Sequence, residues 1–513
     1  MASYQFQPIA FALFVFITAL TLAISVYASR RVRTAGHFYV AGGGVRWFVN
    51  GIAFAGDYLS AASFLGVAGL IAFSGYDGFM YAIGFLAGWI VALFLIAEPL
   101  RKIGKYTFGD ALASKFKDRR VRIVASISAI VVSVFYLIPQ MVGAGSIVQP
   151  LLGISYEAGV IIVGLIVVLI VATAGMVSTT WVQFIKGFLL LIAALGLTIG
   201  VLAVAGLGPL EFIGSFIQNP AVHIPQIPPK ADVVVSGTTF MSPGMKYKDP
   251  WDFASLALGL ILGTAALPHI LIRYYTVPKP SDARKSTVVA IIAIGSFYIL
   301  TLFLGLGSNY FQAFGTMDPT NQNLSAPLLA QYIGGEVFFA VISSIAFATI
   351  LGTVSGLIMA ASGAIAHDIY TEVMGKRGDD KKTLRVSKIT AVVVGLIAIG
   401  LGIIMKGQNV AFLVGLAFAI AASANIPALL CMLFWKRTTG KAIIVGILVG
   451  LSLSIFLILI SPVGMPGHAI FPLSNPGIVS IPVGFLVVIG VSLLTRPDDV
   501  NNGKPRPVPV AGK

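Results

Sequence analysis

The sequence predicts an all-α polytopic membrane protein, and three observations carry that reading. The first is composition: 57% of the 513 residues are hydrophobic, only 10% are charged, and the mean hydropathy is +0.95. A water-soluble chain of this length has too few polar residues to cover so much apolar surface. The second is run length. A helix needs about 20 mainly apolar residues to cross a bilayer, and such runs recur along the chain. The third is charge placement: basic residues gather in alternate segments between the runs. The formal charge of +15 would suggest a nucleic-acid partner in a soluble domain. Here it marks one side of a membrane, so the expected partner is the lipid bilayer and not nucleic acid.

The runs fall near 8–28, 46–71, 76–98, 123–150, 156–176, 180–206, 252–275, 286–308, 335–366, 388–405, 409–434, 442–462 and 478–495. Thirteen spans place the two termini on opposite faces. The first run is expected to be a retained helix and not a signal peptide. Residues 1–7 hold no Lys or Arg, and its apolar core is longer than the usual ~7–15 residues. With the N-terminus outside, all of the 34 basic residues except Lys230, Lys246, Lys248 and Lys406 lie on the inner side. Lys186 is counted at the inner start of its span. Arg273 is expected to reach the inner interface with its charged head. The orientation predicts a cytoplasmic C-terminus, and the reading is of a bacterial inner-membrane protein.

The whole chain, 1–513, reads as one transmembrane domain. The outer stretch 207–250 is too short for a core of its own, and 497–513 reads as a disordered cytoplasmic tail. The single cysteine, Cys431, cannot form an internal disulfide and reads as an apolar filler. No Gly-rich loop ending in Gly-Lys-Ser/Thr is present, which argues against ATP-driven transport. The five histidines show no ligand spacing. Neither a cofactor nor a resident metal is expected, no obligatory protein partner is evident, and the chain is not read as an enzyme.

Function must therefore lie among the helices, and three spans carry features that a lipid anchor does not need. The second holds Gly51, Gly56, Asp57, Ser60, Ser63, Gly66 and Gly69. The seventh holds Gly259, Gly263 and Thr264, then Pro268-His269. The ninth holds Thr349, Gly352, Thr353, Ser355 and Gly356. Gly and Pro loosen a membrane helix only where the freed backbone is buried in protein or lines a cavity. Spans two to six (46–206) and seven to eleven (252–434) form two blocks of five that begin on opposite faces, each opening with an interrupted helix. That is the pattern of inverted-repeat transporters, whose sites lie at the interface of the repeats.

Asp57 is the one acidic residue placed well inside a span, and an intramembrane carboxylate is by default a functional-site hypothesis. A break nearby would free carbonyls around Gly56 and Leu59, and Thr349 and Thr353, four apart, share a helix face. Together they offer the oxygens a hard cation wants. The alternatives are that Asp57 only ties two broken helices together, and that the threonine hydroxyls bond the preceding turn. His269 beside Pro268 reads as structural, with proton carriage as its alternative.

These segments resemble the sodium:solute symporter family and, within it, the cation/acetate symporters (acetate permeases). The carriers are Gly51-Ile-Ala-Phe-Ala-Gly-Asp57-Tyr-Leu-Ser-Ala-Ala-Ser-Phe-Leu-Gly66, Tyr136-Leu-Ile-Pro-Gln140-Met-Val-Gly-Ala-Gly145, Gly263-Thr-Ala-Ala-Leu-Pro-His269-Ile-Leu-Ile-Arg273 and Ala361-Ser-Gly-Ala-Ile-Ala-His367-Asp-Ile-Tyr370. The resemblance implies a leucine-transporter-like 5+5 inverted repeat with one extra N-terminal and two extra C-terminal helices. It also implies secondary symport of a small organic solute with sodium. Carried over by position, the cation would be held by the carbonyls of Gly56, Leu59 and Thr349 and the hydroxyl of Thr353. Relatives place two adjacent hydroxyl residues where this chain has Gly352-Thr353; Asp57 or Ser355 would compensate, and a carboxylate there also permits proton coupling. Solutes bind midway, which makes Phe54, Tyr136, Gln140 and Thr264 the candidates, with inter-helix packing as the alternative for Tyr136 and Gln140. No intramembrane arginine is expected to meet the anion.

The leading expectation is a symporter of acetate or a related short-chain monocarboxylate with Na+ or H+. Another solute, such as pyruvate or an amino acid, is the nearest alternative. A passive channel is a second, and a membrane-embedded sensor a third, against which the lack of a soluble domain after residue 496 counts.

Overall fold

The computed structural model describes residues 8–29, 43–103, 107–116, 118–173, 176–225, 233–313, 321–376 and 380–496. The predicted tail at 497–513 lies outside the described residues, as do Arg30, Arg31 and Arg33. The fold is a helical bundle. In chain order its helices are α1 (Pro8–Ser29), α2 (Trp47–Tyr58), α3 (Val67–Val91), α4 (Ala97–Ile103), α5 (Phe108–Phe116), α6 (Arg119–Leu152), α7 (Tyr156–Thr173), α8 (Met176–Ala205), α9 (Pro209–Gln218) and α10 (Gly237–Phe240). They continue with α11 (Pro250–Thr264), α12 (Pro268–Leu271), α13 (Pro280–Tyr310), α14 (Ser325–Gly363), α15 (Asp380–Ile404), α16 (Val410–Phe434), α17 (Gly440–Leu459) and α18 (Gly477–Leu494).

Among the described residues ten helices are long and apolar enough to cross a membrane, with shorter apolar stretches at Phe11–Leu20 and Tyr156–Leu169. Those two stretches belong to the runs at 8–28 and 156–176, and the remaining difference from thirteen lies at one glycine. The run at 46–71 is cut after Tyr58, and Ala62–Ile103 joins its second half to the next run through a reversal at Gly75 (φ +52°), where a Cβ on Gly78 would lie 2.3 Å from the Leu70 backbone, so the two halves fold back on each other. A side chain at Gly75 would meet the Phe240 carbonyl at 1.9 Å, so the bend admits glycine alone.

Both predicted interruptions are present. Leu59 leaves the helical region (ψ 102°) and Ser60 follows without helical structure, before a wide π-type turn at Ala62–Gly66. α11 stops at Thr264, and α12 restarts with Pro268 at its first position, where a missing N–H costs nothing. The Ala266 carbonyl freed between them accepts from Asn425 Nδ2 at 3.0 Å. Thus α16 satisfies the backbone that the break exposes.

The interior lies where α2, α6, α11, α14 and α16 meet, flanked by α8 and α13. Large apolar side chains such as Leu169, Phe188, Ile292 and Leu486 point outward from the bundle, as lipid contact requires. At one end α9, α10 and a two-stranded antiparallel hairpin, β1 (Val222–Ile224) with β2 (Val233–Val235), form a small cap. Asp77 pins it: its carboxylate accepts from the backbone amides of Gly244, Lys246 and Tyr247 at 3.1, 2.7 and 3.0 Å.

Candidate cation and solute site

The site is built where the two interrupted helices face α8 and α14. Asp57 is 1% exposed. One carboxylate oxygen accepts from Arg273 Nε at 2.5 Å, and the other from Gln183 Nε2 at 2.9 Å. The same Gln183 amide donates to the Gly352 carbonyl at 2.8 Å. Lys186, one turn further along α8, donates from Nζ to Thr353 Oγ1 at 2.8 Å, and the Thr353 hydroxyl reaches the Asp57 carbonyl at 3.4 Å. One cluster therefore joins α2, α8, α14 and the turn after α12.

Glycines permit this proximity. A Cβ on Gly56 would lie 1.8 Å from the Gln183 carbonyl oxygen, so α2 and α8 cross backbone to backbone there. That crossing brings Gln183 within reach of Asp57.

Two expectations are corrected. Arg273 does not snorkel to an interface: it is 0% exposed and turned inward onto Asp57. The restart at Pro268 and the tight turn Ile272–Thr276 re-aim the residue, whereas a continuous helix would have presented it elsewhere. An intramembrane arginine is therefore present. Lys186 does not belong with the inner-surface charges either. It sits a third of the way along α8 and is 4% exposed. Sequence spacing held the clue, because Gln183 and Lys186 are three apart on one helix face inside an apolar run.

The other cation candidates are also placed. Thr349 Oγ1 donates to the Ile345 carbonyl and Ser355 Oγ to the Leu351 carbonyl, each at 2.8 Å within α14. Both hydroxyls follow the preceding-turn alternative in this conformation. Gly56 and Leu59 lie at the end of α2, beside Asp57.

The solute candidates gather around an aromatic nest. Phe54 packs edge-on to Trp89 at 5.4 Å and against Tyr274 at 5.0 Å. Tyr136 lies 5.3 Å from the His269 ring and 5.4 Å from Phe418, and its hydroxyl donates to Ser60 Oγ at 3.5 Å. Thr264 Oγ1 bonds the Tyr58 hydroxyl at 2.8 Å and the Leu260 carbonyl at 2.9 Å. Gln140 is fully buried, and neither of its amide atoms has a partner among the described residues. The same holds for both His269 nitrogens, Arg273 Nη1 and Trp89 Nε1. Sequence reasoning passed over Trp89, Tyr58 and Phe418, because an aromatic in an apolar run looks like any other core residue.

A second polar cluster lies where α5 meets the start of α6 and the turns after α14. Asp110 pairs with Arg122 at 2.6 Å and with His367 Nε2 at 3.2 Å, while Asp368 accepts from Thr107 at 2.7 Å. Ligand atoms of Asp110, His367 and Asp368 lie within 4.8 Å of one another, a grouping of metal-ligand types that histidine spacing did not reveal. The Arg122 guanidinium, 3.6 Å from Asp368, supplies the positive charge among them, and these atoms form an ion-pair network.

Comparison with known proteins follows the same lines. Residues 38–450 match the Sodium:solute symporter family. The chain is 46% identical over 488 residues to the uncharacterized symporter YwcA of Bacillus subtilis (strain 168), covering 93% of this chain and 92% of that one. Its fold is similar to the substrate-bound outward-open state of a Na+-coupled sialic acid symporter. The TM-score is 0.76 and the identity 16%, over 96% of this chain and 99% of the other. It is similar too to MHP1, a nucleobase-cation-symport-1 family transporter in a closed conformation (TM-score 0.57, 14% identity, 91% and 97% covered).

Proposed function

We propose, from the premise that the chain belongs to the sodium:solute symporter family, that it takes up acetate or a related short-chain monocarboxylate with Na+. This places it with the cation/acetate symporters, in a bacterial inner membrane with the N-terminus outside and the C-terminus cytoplasmic. The thirteen crossings would comprise two inverted five-helix blocks with one helix before and two after. The cation would lie among Gly56, Asp57, Leu59, Thr349, Thr353 and Ser355, and the solute beside Phe54, Tyr136, Gln140 and Thr264.

One observation supports an anionic solute above others. The buried cluster holds two basic side chains, Lys186 and Arg273, against one carboxylate, Asp57, so that with Lys186 protonated it carries one surplus positive charge. A surplus positive charge in a low-dielectric interior is costly and attracts one negative charge. A monocarboxylate supplies that charge. Gln140, His269 and Arg273 Nη1 offer donors without a partner among the described residues, and the rings of Phe54, Trp89 and Phe418 around Tyr58 offer apolar contact for a short alkyl group. The same ledger favours symport. Anion and Na+ together leave the buried charge unchanged, whereas Na+ alone would add a second surplus charge.

The test is uptake of labelled acetate into proteoliposomes with a Na+ gradient or a pH gradient imposed separately. Accumulation above equilibrium under the Na+ gradient is expected, with unlabelled short monocarboxylates competing and amino acids not. If neither gradient drives accumulation, the symport reading fails; if only the pH gradient does, the coupling ion is H+.

A further inference from the structure

Lys186 ends at a hydroxyl, which is an unusual terminus for a buried ammonium. Of its three N–H donors, one meets Thr353 Oγ1 at 2.8 Å, the single acceptor it has among the described residues. The nearby carboxylate is already engaged: Asp57 is held by Arg273 and Gln183. The Gly352 carbonyl is likewise taken by Gln183. The ammonium therefore stands where a free cation seeking the Thr353 oxygen would stand.

The space for it comes from Gly352. A Cβ built there would lie 2.9 Å from Lys186 Cδ and from Gln183 Oε1, and 3.3 Å from Lys186 Nζ. A side chain at 352 would crowd the lysine tip where it meets Thr353, together with the Gln183 amide oxygen. Glycine at 352 and lysine at 186 thus fit as a pair, one leaving the room that the other fills.

We propose that Lys186 is a resident cation of the transport site. Its ammonium holds the position of the transported ion at Thr353, and moves to the carboxylate of an arriving solute, so that Na+ enters only once the solute is bound. The inference rests on the reading of Thr353 and Asp57 as the cation site. The lysine stem has four flexible carbons, and its acceptor, the Thr353 hydroxyl, itself reaches the Asp57 carbonyl at 3.4 Å. Two like charges cannot share one oxygen cage without strong repulsion, so ammonium and Na+ exclude each other. An anion that draws the ammonium aside removes that block. Solute and ion are thereby coupled through one side chain.

The experiment is radiolabelled Na+ binding to the purified full-length protein in nanodiscs, with and without acetate. The wild type is expected to bind Na+ weakly alone, and acetate to raise its apparent affinity about tenfold or more. Lys186→Met should raise acetate-free Na+ affinity about tenfold and abolish the acetate effect. Gly352→Ala keeps the charge and adds no oxygen ligand but crowds the lysine tip, and should raise acetate-free Na+ affinity in the same direction, which guards against misfolding of the first variant. The acetate-free comparison of variant with wild type holds whichever monocarboxylate is the solute. Unchanged or lower Na+ affinity in both variants overturns the proposal, as does wild-type binding that is equally tight without acetate. If Na+ drives acetate accumulation in proteoliposomes while these binding results fail, only the role of Lys186 is lost.

Discussion

Arg273 and Asp57 form an ion pair sealed inside the bundle, Nε to Oδ2 at 2.5 Å, contributed by the turn that follows one interrupted helix and by the end of the other. The pair locks the two breaks together across the interface of the proposed repeats. Removing Asp57 leaves Arg273 as an uncompensated buried charge, which typically costs about 3–5 kcal/mol. Asp57→Asn alone should therefore destabilise strongly, and Arg273→Gln added to it should recover a substantial part of that loss. Unfolding of the four proteins, wild type included, measures the coupling; additive losses would show that the pair is not energetically linked. Asp57→Asn alone should also abolish ion-coupled accumulation while the protein still inserts in the membrane.

Gln140 separates a binding role from a packing role. Its amide is buried without partners among the described residues, so in the folded protein it carries an unrelieved desolvation cost. Replacing such a group by an apolar one of similar shape is neutral or stabilising, by about 1 kcal/mol. Gln140→Leu is therefore expected to leave thermal stability unchanged or raised, while acetate uptake weakens about tenfold through KM. A loss of stability with normal KM would assign Gln140 to packing.

Both breaks were legible in the sequence, because Gly and Pro interrupt an apolar run at identifiable positions and Asp57 sits beside one of them. The partners of Asp57 were not. Positive-inside counting assigns each basic residue to a side of the membrane by its place in the chain, and says nothing of where a long side chain ends. Arg273 was turned inward by a helix restart whose freed Ala266 carbonyl is satisfied by Asn425, distant in sequence. Lys186 needed the knowledge that α8 crosses α2 at Gly56, a tertiary fact. The reversal at Gly75 showed in the sequence only as a short gap between two apolar runs, because one glycine turns the chain there without a loop to mark it.

Asp110, on α5 outside the spans, carries a pH prediction. Burial pushes its carboxyl up, but the hydrogen bond and charge of His367, with the Arg122 guanidinium, outweigh burial and hold it below the usual carboxylate range. A depressed carboxyl contributes stability that is fully present above its unfolded value, about 3.9, and is lost as pH falls through the lower folded value. On the acid side, the Asp110 contacts that join α5 to α6 and to the turns after α14 should thus be lost only below the usual carboxylate range. Asp110→Asn should lower stability at neutral pH and flatten the acid limb below about pH 4. Equal acid sensitivity in the variant and the wild type would place the acid-labile contact elsewhere.

The backbone crossing of α2 and α8 makes the sharpest steric prediction. A methyl at Gly56 would sit 1.8 Å from the Gln183 carbonyl oxygen, on the main chain and not at the end of a flexible side chain. Relief would require α2 and α8 to separate, and separation would withdraw Gln183 from Asp57 and Lys186 from Thr353 together. Gly56→Ala is therefore expected to lose both folding yield and uptake. Gly196, on the same α8, has nothing within 4 Å of a built Cβ. Gly196→Ala should be silent or stabilising by about 0.5–1 kcal/mol, since alanine favours the helix over glycine. Comparing the yield and thermal stability of the two variants decides the matter. If Gly56→Ala behaves like Gly196→Ala, the close crossing does not position the site. If it fails while Gly196→Ala is tolerated, the reach of Gln183 and Lys186 depends on a glycine that has no polar chemistry of its own.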